Sequence, residues 1–232
     1  MHGHPVDVRP DPEPLLAGVA HDFANLSAVV GGYLSLAMRK VDDPTVLDLL
    51  ERAHAAAARG TTMAQQLYDL AQCGAIEREP VVLHDVVTGA AGLLTQALAP
   101  GCQLELDLAD EPFEVIANRD GLELVLLQLV RNACDAMPDG GTISVATRRG
   151  TDPARPGEVV VSVSDEGAGI TPEVAARALE PRFTTRGKAE HNGLGLAIVE
   201  RALTRFGGRV TIAPSPVGAT VRLHLADVLT GG

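Results

Sequence analysis

Two consecutive stretches of apolar residues, spaced alternately three and four positions apart, constrain the fold of this 232-residue chain most strongly. The first stretch covers residues 16–37 and the second covers residues 46–70. This spacing places the apolar side chains on one face of an α-helix, as in the seam of a coiled coil. The pattern therefore predicts two long amphipathic helices that follow each other directly.

A short polar break separates the two stretches and indicates how the helices connect. Val41-Asp42-Asp43-Pro44 ends the first helix, and either Asp43 or Thr45 can cap the second. Two helices joined by a short turn form an antiparallel hairpin, which cannot bury its own apolar stripe. Pairing two hairpins into a four-helix bundle would bury it, so we predict a homodimer.

Composition excludes several classes of protein. Hydrophobic residues make up 46% of the chain, and 19 basic residues stand against 30 acidic ones, a formal net charge of -11. This balance argues against nucleic-acid binding and against a basic membrane anchor. No apolar run approaches the ~20 residues that span a bilayer, and no signal peptide is recognisable. Three widely spaced cysteines support neither a disulfide framework nor a zinc site. We expect a cytoplasmic protein.

The chain is predicted to contain a disordered lead-in (residues 1–14), the helical hairpin (15–76), a linker at 77–80, and an α+β layer sandwich (80–229). Helices of the sandwich are predicted at His84–Leu98, Arg119–Met137, Pro172–Ala178 and Leu194–Phe206. Strands are predicted at Val81–Leu83, Gln103–Leu108, Phe113–Ile116, Thr142–Arg148, Glu158–Val163, Arg209–Ala213 and Thr220–Leu225.

One histidine of the first helix is placed away from the apolar seam. With Leu16 at heptad position a, His21 falls at position f, Asp22 beside it, and Asn25 one turn further on the same outer face. A carboxylate can hold one imidazole nitrogen protonated and leave the other lone pair free as a nucleophile. The simpler alternative, an ordinary surface histidine on a solvated face, stays open from these residues alone.

Two polar stretches of the second half are candidates for binding a metal and a planar ligand. Gln128 and Asn132 are neighbours on one helix, and amide oxygens can ligate a hard cation such as Mg²⁺. In Ser164–Ile170, Asp165 precedes Gly167 and Gly169. Two glycines let the backbone approach a flat ligand, and a carboxylate can accept a hydrogen bond from an exocyclic amine.

Two further stretches suit an anionic ligand. The polar loop at 180–188, which contains Thr185 and Arg186, is basic in an acidic protein and can meet phosphate oxygens. Gly193-Leu194-Gly195 opens a helix, whose free N–H groups favour an anion. Each stretch alone is a weak signal, but the four together and in this order are specific.

In that order the motifs resemble the core of a bacterial sensor histidine kinase over nearly the whole chain from residue 15. The resembling motifs are the H-box His21–Asn25 of the nitrogen-regulation subfamily (His-Asp-x-x-Asn), the N-box around Asn132, the glycine boxes Asp165–Gly169 and Gly193–Leu196, and an F-box at Phe183. The resemblance implies a HisKA-type dimerisation and phosphotransfer hairpin, followed by a GHKL (Bergerat) ATP-binding domain of the HATPase_c type.

The resemblance also implies roles for individual residues. Asn132 would bind Mg²⁺ and Asp165 the adenine amino group of ATP, with Gly167 and Gly169 shaping the adenine pocket. Residues 180–192 would form a lid, and Thr220 would support the adenine. The implied reaction is phosphorylation of His21, assisted by Asp22, then transfer to an Asp of a response-regulator receiver domain. Asn25 would support the reverse dephosphorylation.

Three positions depart from the usual patterns. His191 stands where the second glycine box usually has its first glycine, and Asn192 replaces the common Thr. Gln128 stands where related ATPases carry a general-base Glu. Gln128 cannot accept a proton, which disfavours hydrolysis of ATP by water.

The alternatives that stay open are a phosphorelay phosphotransferase, a pseudokinase scaffold and an anti-sigma serine kinase. The chain is either part of a larger sensor or served by a separate sensor module, and its input signal is not readable.

Overall fold

The computed structural model of the protein describes residues 12–72, 77–185 and 193–228. The chain divides into two compact units, Met1–Ala75 and Ile76–Gly232. The first is a helical hairpin of α1 (Pro12–Met38) and α2 (Pro44–Gln72). No helix in the described ranges is both long and apolar enough to cross a membrane.

The turn of the hairpin is fixed by one side chain. Asp43 Oδ1 accepts hydrogen bonds from the N–H groups of Thr45 (2.8 Å) and Val46 (3.4 Å), so Asp43 rather than Thr45 caps α2. The helices run antiparallel and approach closely at small residues. A Cβ on Gly60 would lie 3.0 Å from Ser27 Oγ, and one on Gly31 would lie 4.0 Å from the Cβ of Ala57.

The start of α1 differs from the sequence prediction. Residues 12–14, predicted as part of a disordered lead-in, are helical, and residues 1–11 lie outside the described residues. Pro12 and Pro14 are tolerated because the first N–H groups of a helix have no intrahelical acceptor. Prolines are therefore compatible with the first turn, and composition alone misplaces this boundary.

The second unit has the predicted α+β architecture. Its elements are β1 (Glu79–Val82), α3 (Leu83–Gln96), β2 (Cys102–Asp107), β3 (Glu114–Ala117), α4 (Arg119–Ala136), β4 (Gly141–Arg149), β5 (Glu158–Asp165), α5 (Pro172–Ala175), α6 (Gly195–Arg205), β6 (Arg209–Ala213) and β7 (Thr220–Ala226). The order of helices and strands confirms the sequence prediction, with ends shifted by a few residues.

A mixed five-stranded sheet in the order β2-β4-β5-β7-β6 forms the frame of this unit, and only the β2–β4 pair is parallel. Alternate strand residues such as Val145 and Val161 are buried. Leu129 of α4 and Ile198 of α6 are buried too, and α4 packs against β4, β5 and α6. The opposite alternate positions stay partly exposed, as in a two-layer sandwich.

Two local signals read from the sequence have different outcomes. The turn at Pro138–Gly141 is confirmed, with Gly140 at φ 87° and its N–H bonded to Met137 O (3.0 Å).

The linker predicted at 77–80 is wrong in its second half. Glu79 and Pro80 belong to β1, which pairs with β3 in a separate two-stranded sheet. A strand of such a small sheet is an edge strand, where a proline is tolerated.

Candidate functional site

His21 is exposed on α1, as its heptad position predicts. Its side chain is 62% exposed and that of Asp22 is 81% exposed. The ring lies 6.3 Å from the ring of Tyr68 on α2, centroid to centroid, in a tilted arrangement. An exposed imidazole at this position is accessible to a reactant.

Both polar neighbours of His21 contact the same ring nitrogen. Asp22 Oδ1 lies 3.4 Å from His21 Nδ1, and Asn25 Nδ2 also lies 3.4 Å from Nδ1. The Asp22 contact requires a proton on Nδ1, whereas the Asn25 contact requires a lone pair there. The two contacts therefore select opposite tautomers, and the Asp22 contact leaves the lone pair on Nε2.

Asp165, at the end of β5, is oriented by two backbone groups. Its Oδ1 accepts hydrogen bonds from Gly167 N (2.9 Å) and from Ala219 N (3.2 Å). Within the described part of the chain the other carboxylate oxygen has no hydrogen-bond partner, so it can accept one from a ligand. The hydroxyl of the preceding residue, Ser164, lies 3.0 Å from that of Thr220, which follows Ala219 on the neighbouring strand. The structure thus brings Asp165, Gly167 and Thr220 together.

Gly169 follows with a backbone conformation that favours glycine. Its φ is 79°, and a Cβ there would lie 2.5 Å from Ser215 O. Ile170 exchanges backbone hydrogen bonds with Ser215 at 2.8 and 3.0 Å. This pairing holds the glycine turn against the chain that leads into β7, on the side where Asp165 lies.

Asn132 lies against the start of α6. A Cβ on Gly195 would lie 3.1 Å from Asn132 Oδ1 and 3.3 Å from Nδ2, so the glycine leaves room for this amide. The Asn132 side chain is half-buried and makes no hydrogen bond to any residue in the described ranges. At the N-cap position, the Leu194 side chain does not cap the helix, and the first turn of α6 contains no acidic residue. The N–H groups of this turn therefore suit an anion.

The other predicted metal ligand, Gln128, is only 2% exposed and lies inside the core one turn before Asn132. Among the described residues no group of three or more His, Cys, Asp or Glu could hold a metal ion. An ion at Asn132 would therefore take most of its oxygen ligands from a phosphate-bearing ligand and water. The unpartnered amide of Asn132 beside a helix N-terminus fits a magnesium nucleotide.

The two segments that flank residues 186–192 are hydrogen-bonded to each other. The N–H of Arg182 donates to Gly193 O (2.9 Å), and Arg182 adopts a left-handed φ of 68°. Gly193 has a φ of 66°, and a Cβ there would lie 2.4 Å from Phe183 O. Thr185 is exposed, and the predicted phosphate ligand Arg186 lies outside the described residues, as do His191 and Asn192.

Two contributions were missed by the sequence analysis. The backbone N–H of Ala219 orients Asp165 across a separation of 54 residues, which no local pattern reveals. The guanidinium of Arg177 lies 4.5 Å from the centre of the Phe183 ring and forms a 3.1 Å ion pair with Glu180. A cation stacked on the aromatic ring holds Phe183 in place.

Comparison with known proteins agrees with this geometry. Residues 117–228 match the HATPase_c family, described as histidine kinase-, DNA gyrase B-, and HSP90-like ATPases. These residues are similar to that family over most of the second unit. The match covers α4, both glycine boxes and β7. It supports ATP binding by this part of the chain.

Among curated proteins, sensor histidine kinases are similar over both units. The sensor histidine kinase ZraS of Salmonella typhimurium is 33% identical over 201 residues, which are 85% of this chain and 42% of that protein. The sensor kinase CckA of Brucella abortus is 30% identical over 206 residues, 84% of this chain and 22% of that protein. The chain spans less than half the length of these relatives, which support a histidine-kinase core.

Solved structures extend the likeness of the fold. The mycobacterial sensor histidine kinase MprB aligns with a TM-score of 0.54 and 26% identity over 65% of this chain and 97% of that one. Full-length ShkA, solved in complex with AMPPNP, aligns with a TM-score of 0.67 and 23% identity over 93% of this chain and 46% of that one. The latter likeness concerns the fold alone.

Proposed function

We propose that this chain is the catalytic core of a two-component histidine kinase, which transfers the γ-phosphoryl group of ATP to His21. The observation that carries the proposal is that one chain combines a HATPase_c domain with an exposed histidine whose Nδ1 faces a carboxylate. A nucleotide site alone would suit any ATPase, whereas the second feature supplies a phosphoryl acceptor.

The nucleophile of this reaction is His21 Nε2. Asp22 accepts a hydrogen bond from the Nδ1–H group and so keeps the lone pair on Nε2, which attacks phosphorus in line while ADP leaves. The positive charge that develops on the ring is balanced by the adjacent carboxylate. In the other tautomer, selected by Asn25, Nε2 carries the proton and cannot attack.

The residues of the second unit hold the nucleotide in this proposal. The free oxygen of Asp165 accepts a hydrogen bond from the adenine amino group, beside Gly167, Gly169 and Thr220. Asn132 and the chain that leads into α6, from Gly193 to Gly195, face the phosphates, with Thr185 and Arg186 as further contacts. Bound Mg²⁺ would be held by Asn132 and would neutralise phosphate charge. Gln128 is buried and would not ligate the ion directly.

Gln128 supports phosphoryl transfer over hydrolysis. Its amide cannot take a proton from water, and it is buried at 2% exposure. This favours transfer of the phosphoryl group to a protein acceptor over transfer to water.

A homodimer completes the helical unit in this proposal. On α1 the apolar stripe is exposed in the single chain, with Leu26 at 66% and Tyr33 at 71%. The small residues Ala20 and Ala64, by contrast, are almost fully buried within the hairpin. Small side chains thus fill the contact between α1 and α2, and the large ones are left for a second copy in a four-helix bundle of the HisKA type.

The downstream partner in this proposal is the receiver domain of a response regulator. The phosphoryl group passes from Nε2 of His21 to an aspartate of that domain. Asn25 would then direct water to the phospho-aspartate, as in the His-Asp-x-x-Asn subfamily. Both ATP and such regulators are cytoplasmic, and a cytoplasmic location follows for this core.

The proposal is tested by incubating the full chain with Mg²⁺ and ATP labelled at the γ position. We expect a covalent label that is lost in acid and stable in base, which distinguishes phosphohistidine from phosphoserine. Omission of Mg²⁺ should abolish it. An acid-stable label would indicate a serine kinase instead, and tight ATP binding without any label would indicate a scaffold.

A second prediction concerns Asn25. Replacing Asn25 with alanine should leave autophosphorylation within about twofold, because Asp22 still orients the ring, but should slow dephosphorylation of the regulator by about tenfold or more. Receiver domains are first ranked by how fast they take phosphate from the labelled chain, and the fastest is used. Ser35→Ala, a polar and partly exposed position on the same helix but outside the H-box, is the matched control. Equal loss of both activities in Asn25→Ala would contradict the proposed role.

A further inference from the structure

Two of the three cysteines are neighbours in the second unit although they are far apart in the sequence. Cys102 begins β2, and Cys134 lies in the last turn of α4. The Cys102 thiol is within hydrogen-bonding reach of the Cys134 thiol. Both are free, Cys102 half-buried and Cys134 buried at 6% exposure.

The backbone of Ala99 holds the two thiols side by side. The Ala99 N–H donates to Cys134 Sγ (3.5 Å) and also reaches the Cys102 thiol. The carbonyl of Ala99 accepts a 3.0 Å hydrogen bond from the Cys102 N–H. Because the backbone of this one residue contacts both cysteines, it holds the two thiols near each other.

We propose that Cys102 and Cys134 form a modification site at which an oxidant of the peroxide class produces an intramolecular disulfide. The cross-link would join the start of β2 to the last turn of α4, the helix that carries Asn132. This chemistry is separate from the transfer of phosphate, and it needs no residue of the proposed ATP or phosphoacceptor sites.

The reaction runs in two balanced steps. The more exposed Cys102 thiolate attacks one peroxide oxygen, the O–O bond breaks, and a sulfenic acid and hydroxide form. The Cys134 thiolate then attacks the sulfenic sulfur, the S–S bond forms, and a second hydroxide leaves. Two thiols are oxidised by two electrons in total, and the peroxide is reduced to two water molecules once the thiol protons are counted.

The surroundings of Cys102 indicate that its oxidation by peroxide is slow. Partial burial, together with the hydrogen bond to Cys134 and the charge there, raises the pKa of the Cys102 thiol. The reactive thiolate is therefore a minor species at neutral pH, and sustained exposure to peroxide is required.

The test uses the full chain, reduced, freed of reductant and then exposed to excess hydrogen peroxide. Remaining thiols are alkylated, the protein is digested without reductant, and the peptides are analysed by mass spectrometry. We expect one linked pair of peptides, containing Cys102 and Cys134, with a mass about 2 Da below the sum of the reduced peptides. Cys73 should be recovered alkylated.

Three variants separate this outcome from general oxidation. Cys73→Ser should form the same link, and Cys102→Ser should form none. In Cys134→Ala, which removes the second thiol without adding bulk, Cys102 should proceed to the sulfinic or sulfonic acid. Links to Cys73, links between two chains, or oxidation of Cys102 in the unmodified sequence without a link to Cys134 would each overturn the proposal.

Discussion

Replacing His21 with alanine should remove the acid-labile phosphate that the chain takes from labelled ATP. The side chain is exposed on α1, and its Nδ1 faces Asp22, which leaves Nε2 as the proposed nucleophile. Its polar neighbours in the described part of the chain, Asp22 and Asn25, have no nucleophilic ring nitrogen. Because loss of a nucleophile leaves only background transfer, we expect labelling to fall by about a hundredfold or more.

The matched control is His54→Ala, which removes another imidazole from the same hairpin. His54 lies on α2 and is partly exposed. We expect no phosphate on His54, either in the unmodified chain or in His21→Ala. Its removal should therefore change the labelling little. Helix content and ATP affinity are measured for both variants. Undiminished labelling of His21→Ala at normal helix content would show that another residue accepts the phosphate.

Much of the secondary structure is readable from the sequence because it depends on local spacing. The alternating three and four steps between apolar residues specify α1 and α2, and the same reasoning puts His21 on the outer face. Strands such as β5 are marked by alternating Val and Ser, and turns by runs of Pro, Asp and Gly. The errors lie at the ends of elements. Pro12 belongs to α1 and Pro80 to β1, whereas the sequence predicts both prolines outside a helix or strand.

The remaining features depend on contacts between distant parts of the chain. The order β2-β4-β5-β7-β6 requires pairing of strands that no turn connects, including the parallel β2–β4 pair. The left-handed conformation of Arg182 is imposed by its hydrogen bond to Gly193 across residues 186–192, and arginine has no intrinsic preference for it. The sequence thus predicts which residues could form the site, while tertiary pairing decides their orientation.

Asp165 is the clearest example of such orientation, and it gives the second large prediction. Its Oδ1 is occupied by the N–H groups of Gly167 and Ala219, which point the other oxygen away from them. In Asp165→Asn the carbonyl oxygen of the new amide can keep both of these hydrogen bonds. Its NH₂ group would then face the adenine amino group, donor against donor, where a carboxylate oxygen would have accepted.

We therefore expect Asp165→Asn to fold normally and to lose ATP affinity by about a hundredfold, since a hydrogen bond to a charged acceptor contributes about 1.5–3 kcal/mol and an opposed donor adds to the loss. Affinity is measured by calorimetry, and folding by thermal unfolding without nucleotide. Glu166→Gln is the control, because it makes the same change one residue later, where Glu166 Oε2 accepts a hydrogen bond from Thr142 N (2.8 Å) instead of facing a ligand. Equal weakening in both variants would point to lost charge. Unchanged affinity in Asp165→Asn would remove this carboxylate from the adenine site.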